Sequence, residues 1–235
     1  MTDLFELPTR PSVPVLGEDG RFPVHRIFCV GRNYEAHARE MGFSVDRDAP
    51  FYFTKTPSAI CPSGATIPYP PGTTDLQHEV ELVVALGHDA PHGVLAAGDA
   101  GSLVYGYGIG LDLTRRDLQA AAKAKGLPWD TGKAFDQSAP VSELLPASEI
   151  GTLAACTLSL EVNGAIRQQS RLDQLIWDVP DILHELSKLY ALRAGDLVFM
   201  GTPAGVAALR PHDACIGRLD DLLELRCRIT PPRVA

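Results

Sequence analysis

The stretch Gln77–Leu86, QHEVELVVAL, reads as a β-strand with an acidic entry and an apolar body. Strand side chains alternate between faces, so Glu79 and Glu81 project with Val83 and Ala85, opposite His78, Val80, Leu82, Val84 and Leu86. From Leu82 onward both faces are apolar, the pattern of a strand buried on both sides. Two carboxylates about 7 Å apart on one face repel when buried. Either one takes a proton or a cation sits between them.

A third acid follows on VYGYGIGLDLT (104–114), a second expected strand. There Gly106, Gly108, Gly110 and Asp112 share a face, and the glycines clear side-chain volume beside the acid. Three carboxylates with no His or Cys would favour Mg²⁺, Mn²⁺ or Ca²⁺ over Zn²⁺. The competing reading is a pair of solvated glutamates at a strand end and glycines that permit close packing. The glycine run lacks GxGxxG spacing and leads into an acid, so it is not a dinucleotide fingerprint.

In GRNYEAHARE (31–40), His37 and Glu40 stand three apart on one face of a short helix. A carboxylate there can orient an imidazole that takes a proton from water, although an ordinary surface His–Glu pair has the same spacing. Arg116 and Gln119 share a face of the helix after Asp112. Lys133 lies in a loop with Gly132, Phe135 and Asp136, and Lys55 lies in FYFTKTP. Arginine suits bidentate carboxylate binding and lysine a developing oxyanion; the competing reading is a set of solvated cations. Thr202, in GDLVFMGTPAGV, either donates to a ligand or shapes a turn.

The chain has 235 residues, 45% hydrophobic and 21% charged, with a net charge of −8 and no basic stripe. Nucleic acid and anionic membranes are poor partners for such a surface. No apolar run approaches the ~18 residues of a membrane span, and MTDLFELPTRP lacks the apolar core of a secretory signal. Five scattered cysteines, none in CxxC, argue against a disulfide framework or thiolate metal site and for a reducing cytoplasm. Residues 1–23 read as a short, partly extended arm and 24–235 as a single domain. Asn33 is expected to cap the helix that ends at Gly42. Thr114 and Asp117 are expected to form a capping box, with that helix stopping at Gly126. Asn163-Gly164 marks a hairpin, Pro180 a helix first turn, and Ile182, Leu183, Leu186 and Leu189 its buried face. Strands outnumber helices without regular alternation, which predicts an α+β fold with a strand-rich core.

Taken in order, GRNYxxHxxE, FxKxP, HExEL, GxxxxxDxTxRDxQ, PWxxxKxFD and GDLxxxGTPAGV resemble the fumarylacetoacetate hydrolase family from about His25 to about Ile229. The wording around DLTRRDLQ and PWDTGKAFD is similar to that of its bacterial fumarylpyruvate hydrolases. The resemblance implies a mixed-sheet roll, a homodimer, and a divalent metal, commonly Mg²⁺, on Glu79, Glu81 and Asp112. It implies a water-activating dyad of His37 and Glu40 on a lid-like helix, and Lys133 as an oxyanion donor. Arg116, Gln119, Lys133 and Thr202 are implied keto-acid contacts, with Arg32 and Lys55 as further contributors. The implied reaction hydrolyses the C–C bond of a 2,4-diketo acid, fumarylpyruvate giving fumarate and pyruvate in aromatic (gentisate) catabolism. Other acylpyruvates, oxaloacetate decarboxylation or diketo-acid isomerisation are alternatives within the family, and a non-catalytic keto-acid or metal binder is a more distant one. RLDDLLEL departs from the family's glycine-rich turn and leaves that turn's geometry open.

Overall fold

The computed structural model describes residues 4, 9–40, 42 and 48–233. The described strands form sheets of two, three, five and eight strands. In the eight-stranded sheet the order is Phe51–Lys55, Arg26–Gly31, Asp196–Phe199, Val80–Leu86, Val104–Leu111, Ala139–Val141 and Ile60–Pro62, with Leu145–Pro146 pairing off Val104–Leu111. Two of its pairings are parallel, Asp196–Phe199 on Arg26–Gly31 and Ala139–Val141 on Ile60–Pro62; the others are antiparallel. The five-stranded sheet runs Ala165–Arg171, Thr157–Val162, Ala214–Leu219, Leu223–Thr230 and Ala65–Pro68. The result is a strand-rich mixed-sheet roll with a few short helices.

Val80–Leu86 is buried at every position, as its double apolar pattern predicts. Val80, Leu82, Val84 and Leu86 enter the larger core with Leu158, Leu160, Leu219 and Ile229 of the five-stranded sheet. Val83 and Ala85 enter a second core with Ile27, Cys29, Leu144 and Phe199. Val13, Val15 and Phe22 close that second core. The described part of the N-terminal segment is extended and packed, with Ser12–Pro14 paired to Arg21–Pro23. Residues 1–3 and 5–8 of it lie outside the described residues.

Four helices carry the remaining motifs among the described residues: α1 (Glu35–Glu40), α2 (Arg116–Ala124), α3 (Asp130–Lys133) and α4 (Val179–Ser187). Two expected caps are absent. Asn33 is buried and ties two segments together, donating to the Trp177 and Met200 carbonyls and accepting from the Trp177 N–H. Thr114 bonds to the Asp112 carbonyl, while Asp117 accepts from Thr73 and from the Thr74 and Leu118 N–H groups. In each case a tertiary partner outcompetes the local cap. The stretch read as a loop before Ala139 contains α3. On α4, Asp178 caps the Asp181 N–H and Pro180 sits in the first turn, but the helix ends before Leu189, which is 64% exposed. Asn163 and Gly164 take left-handed φ values of 54° and 79° and close the expected hairpin, and Asp220 (φ 44°) does the same in the RLDDLLEL turn.

Candidate active site

The pairing of Val80–Leu86 with Val104–Leu111 brings the acids together. Val80 lies opposite Leu111 and Glu81 opposite Gly110. One residue further out, the Asp112 N–H donates to the Glu79 carbonyl at 2.8 Å, so both strands end on a carboxylate at the same level. The glycines follow the packing reading. A Cβ on Gly110 would collide with the Phe199 ring, and one on Gly106 with the Leu145 carbonyl, so these glycines admit neighbouring chains instead of opening space over Asp112.

Glu79, Glu81 and Asp112 are all buried and offer oxygens within 4.8 Å of one another. Cations surround two of the three. Lys133 Nζ lies 2.6 Å from Glu79 Oε2, 2.6 Å from Asp112 Oδ2 and 2.7 Å from Thr114 Oγ1. Lys55 Nζ lies 2.8 Å from Asp112 Oδ1, and Arg116 Nη2 lies 2.5 Å from Glu79 Oε1. Burial works to raise the Glu79 carboxyl, but Lys133 and Arg116 overcome it and hold it well below the usual carboxylate range. Burial likewise works against the Lys133 ammonium, and Asp112 and Glu79 more than compensate.

Glu81 differs. Its Oε2 accepts the Gly201 N–H at 2.7 Å, and among the described residues no lysine or arginine pairs with it. Burial, then repulsion from Asp112 and Glu79, raises its carboxyl well above the ordinary value. An all-oxygen triad with one uncompensated acid fits a hard divalent cation. The residues present could hold one.

An open cavity lies over Glu79 and Glu81, and its wall includes Arg32, His37, Arg116, Gln119, Lys133 and Thr202. Burial pushes the His37 imidazole below its ordinary value, against the opposing pull of Glu79 and Glu40, so it is neutral at pH 7. Its Nδ1 faces Glu40 Oε2 at 3.4 Å. Glu40 in turn accepts the Gly205 N–H at 3.1–3.2 Å. The turn after Asp196–Phe199 therefore presents N–H groups to two acids, Gly201 to Glu81 and Gly205 to Glu40. Both glycines have left-handed φ, 92° and 98°, and a Cβ on either would meet packed neighbours: Asn33 at Gly201, the Arg167 carbonyl at Gly205.

The expected substrate contacts divide. Arg116 reaches the cavity, but its guanidinium is engaged by Gln77, Gln119 and Glu79 at 2.8, 2.6 and 2.5 Å. Gln119 accepts that bond through Oε1, which leaves its amide nitrogen as the donor. Lys55 is not a wall residue. It is buried beside Asp112, bonded to the carbonyls of Leu113 and Lys133 and to the Ser138 hydroxyl, so it cannot meet a ligand in the cavity. Two residues escaped the sequence reading. Gln168 accepts from His78 and from the Val80 N–H and donates to Thr202 Oγ1 and the Pro203 carbonyl, which turns the Thr202 proton away from Gln168. Nothing in IRQQS signals this. Lys123 also lines the cavity, four residues beyond Gln119 on the same face of α2, a spacing visible in the sequence.

Comparison with known proteins agrees with the geometry. The family profile "Fumarylacetoacetate (FAA) hydrolase C-terminal" matches residues 26–230. A fumarylpyruvate hydrolase from Ralstonia sp is 43% identical over 193 residues, covering 81% of this chain and 99% of that protein. The mitochondrial oxaloacetate tautomerase FAHD1 of Rattus norvegicus is 38% identical over 205 residues, covering 86% of this chain and 90% of that protein. The crystal structure of fumarylpyruvate hydrolase from Pseudomonas aeruginosa, in complex with Mn²⁺ and pyruvate, superposes with a TM-score of 0.94 at 44% identity, covering 98% of this chain and 100% of that one. On the profile match over residues 26–230, these identities and the shared fold, the chain belongs to the fumarylacetoacetate hydrolase family.

Proposed function

We propose that this protein is a metal-dependent hydrolase that cleaves fumarylpyruvate, with water, into fumarate and pyruvate in the breakdown of aromatic rings. The observation that carries the reading is the meeting, at one cavity, of an acidic triad with one uncompensated carboxylate, Glu81, and the His37 imidazole backed by an anchored carboxylate. In this reading residues 24–235 form one catalytic domain, working in the cytoplasm as a homodimer, with Glu79, Glu81 and Asp112 holding Mg²⁺. A bound divalent ion would supply Lewis-acid polarisation of the keto acid and take up charge as pyruvate leaves.

The chain's own residues do the rest. His37 takes a proton from water, and Glu40, fixed by Gly205, holds the imidazole in place and steadies the imidazolium. The water oxygen bonds to the C4 carbonyl carbon of the substrate. The developing oxyanion meets the Gln119 amide and the field of Lys133. Collapse breaks the C3–C4 bond; the electron pair goes to C3, and the proton that His37 took from water is returned there to complete pyruvate. Arg116 holds Glu79, and Thr202, oriented by Gln168, offers its hydroxyl proton to the keto-acid end.

A second reading, keto–enol interconversion of oxaloacetate, is favoured by the likeness to the rat tautomerase. Turnover of fumarylpyruvate in ¹⁸O-water separates the two. Hydrolysis places one solvent oxygen in the new fumarate carboxylate; a protein that only interconverts tautomers releases no labelled fumarate.

A further inference from the structure

The cavity wall carries four cationic side chains, Arg32, Arg116, Lys123 and Lys133. Of its four cationic side chains, Arg116 and Lys133 are ion-paired with Glu79 and Asp112. Arg32 and Lys123 belong to the same wall. Lys123 is exposed at the cavity mouth, about 6 Å along the axis of α2 from Gln119. Arg32 takes a left-handed φ of 60°, which disfavours a non-glycine residue, and holds its guanidinium 5.9 Å from the Phe51 ring centre. The two cations are near enough that burial and then Arg32 and Arg116 push the Lys123 ammonium below its ordinary value. Phe53 and Trp129, with ring centres 5.9 Å apart, supply flat apolar wall between this mouth and the triad.

We infer that Lys123 and Arg32 form the subsite for the second carboxylate of a dicarboxylic diketo acid. This rests on the reaction proposed above and adds what would make the enzyme select a fumaryl over a neutral acyl group. In fumarylpyruvate the far carboxylate stands three bonds beyond the C4 carbonyl, across a flat, apolar double bond. With the keto-acid end at the triad and the C4 carbonyl beside Gln119, the double bond runs along Phe53 and Trp129. The carboxylate then arrives one helical turn further on, at Lys123. Lys55, named with Arg32 as a further contributor to substrate contacts, is sealed behind Asp112.

The test compares fumarylpyruvate with acetylpyruvate, which carries a methyl group in place of the fumaryl arm. In Lys123→Met the ratio of kcat/KM for fumarylpyruvate to that for acetylpyruvate should fall about tenfold or more, mainly through KM, as loss of a charge-assisted contact implies. Lys123→Arg should keep most of the ratio, and Arg32→Met should lower it. Raising ionic strength should lower the ratio in the wild type and much less in Lys123→Met. A ratio within twofold of wild type in both Met variants would overturn the subsite and leave the proposed reaction standing. If the wild type cleaves neither compound, the proposed reaction fails, and the subsite is read from calorimetric Kd values of the same two compounds. The same tenfold change is then expected, and its absence overturns the subsite too.

Discussion

The Asp112 N–H donates to the Glu79 carbonyl at 2.8 Å, and Lys133 Nζ bridges the side chains of the same two residues at 2.6 Å each. Backbone and ammonium together hold two buried carboxylates at the adjoining ends of neighbouring strands. Removing the ammonium leaves Glu79 with Arg116 and Asp112 with Lys55, but takes away the charge that bridges the two buried acids. Lys133→Met should destabilise the metal-free protein by about 1–3 kcal/mol, the range for buried charged groups that lose one hydrogen-bond partner. Because a divalent ion can replace the lost charge, Mn²⁺ should restore much of that stability. Urea unfolding with and without Mn²⁺ measures both effects.

Gly205 tests the anchoring of the dyad. A Cβ there would collide with the Arg167 carbonyl, and the residue's N–H is what holds Glu40 beside His37. Gly205→Ala should lower kcat by about 10²-fold, in the range of a lost general-base contribution, with a smaller effect on KM. Steady-state kinetics of the variant, with its unfolding midpoint as a control for folding, provides the check.

The buried His37 predicts a pH dependence of definite sign. Its folded-state value lies below the ordinary value of about 6.5. Between that lowered value and about pH 6.5 the unfolded chain binds more protons than the native one, so His37 makes stability rise with pH across this window. The imidazole is deprotonated above it, so kcat/KM should be flat near neutrality and fall as pH drops through the lowered value. His37→Ala should remove this share of the acid-side stability slope, as read from unfolding midpoints between pH 5 and 7.

Much of this was legible in the sequence because it depends on periodicity. Alternation placed Glu79 and Glu81 on one face and made Val80–Leu86 a doubly buried strand. The helical repeat placed His37 with Glu40 and Arg116 with Gln119. What stayed hidden depends on contacts between distant segments. Asn33 and Thr114 look like caps until Trp177, Met200 and Lys133 supply better partners. Lys55 looks like a surface cation until Asp112 claims it. Gln168 has no local signature, since its role exists only once the hairpin lies against Thr202. Lys123 was readable from its spacing on α2 but takes on meaning only when Arg32 faces the same cavity.

The most direct test of the proposed reaction is product release from fumarylpyruvate by the wild type and by Glu81→Gln, each with Mg²⁺ and with chelator. Glu81 is the triad member without a cation, so its loss should impair metal binding most while disturbing the ion pairs of Glu79 and Asp112 least. The account predicts equimolar fumarate and pyruvate from the wild type with Mg²⁺, loss of this activity in chelator, and a fall of at least about 10³-fold in Glu81→Gln. Full activity of Glu81→Gln in chelated buffer would contradict it.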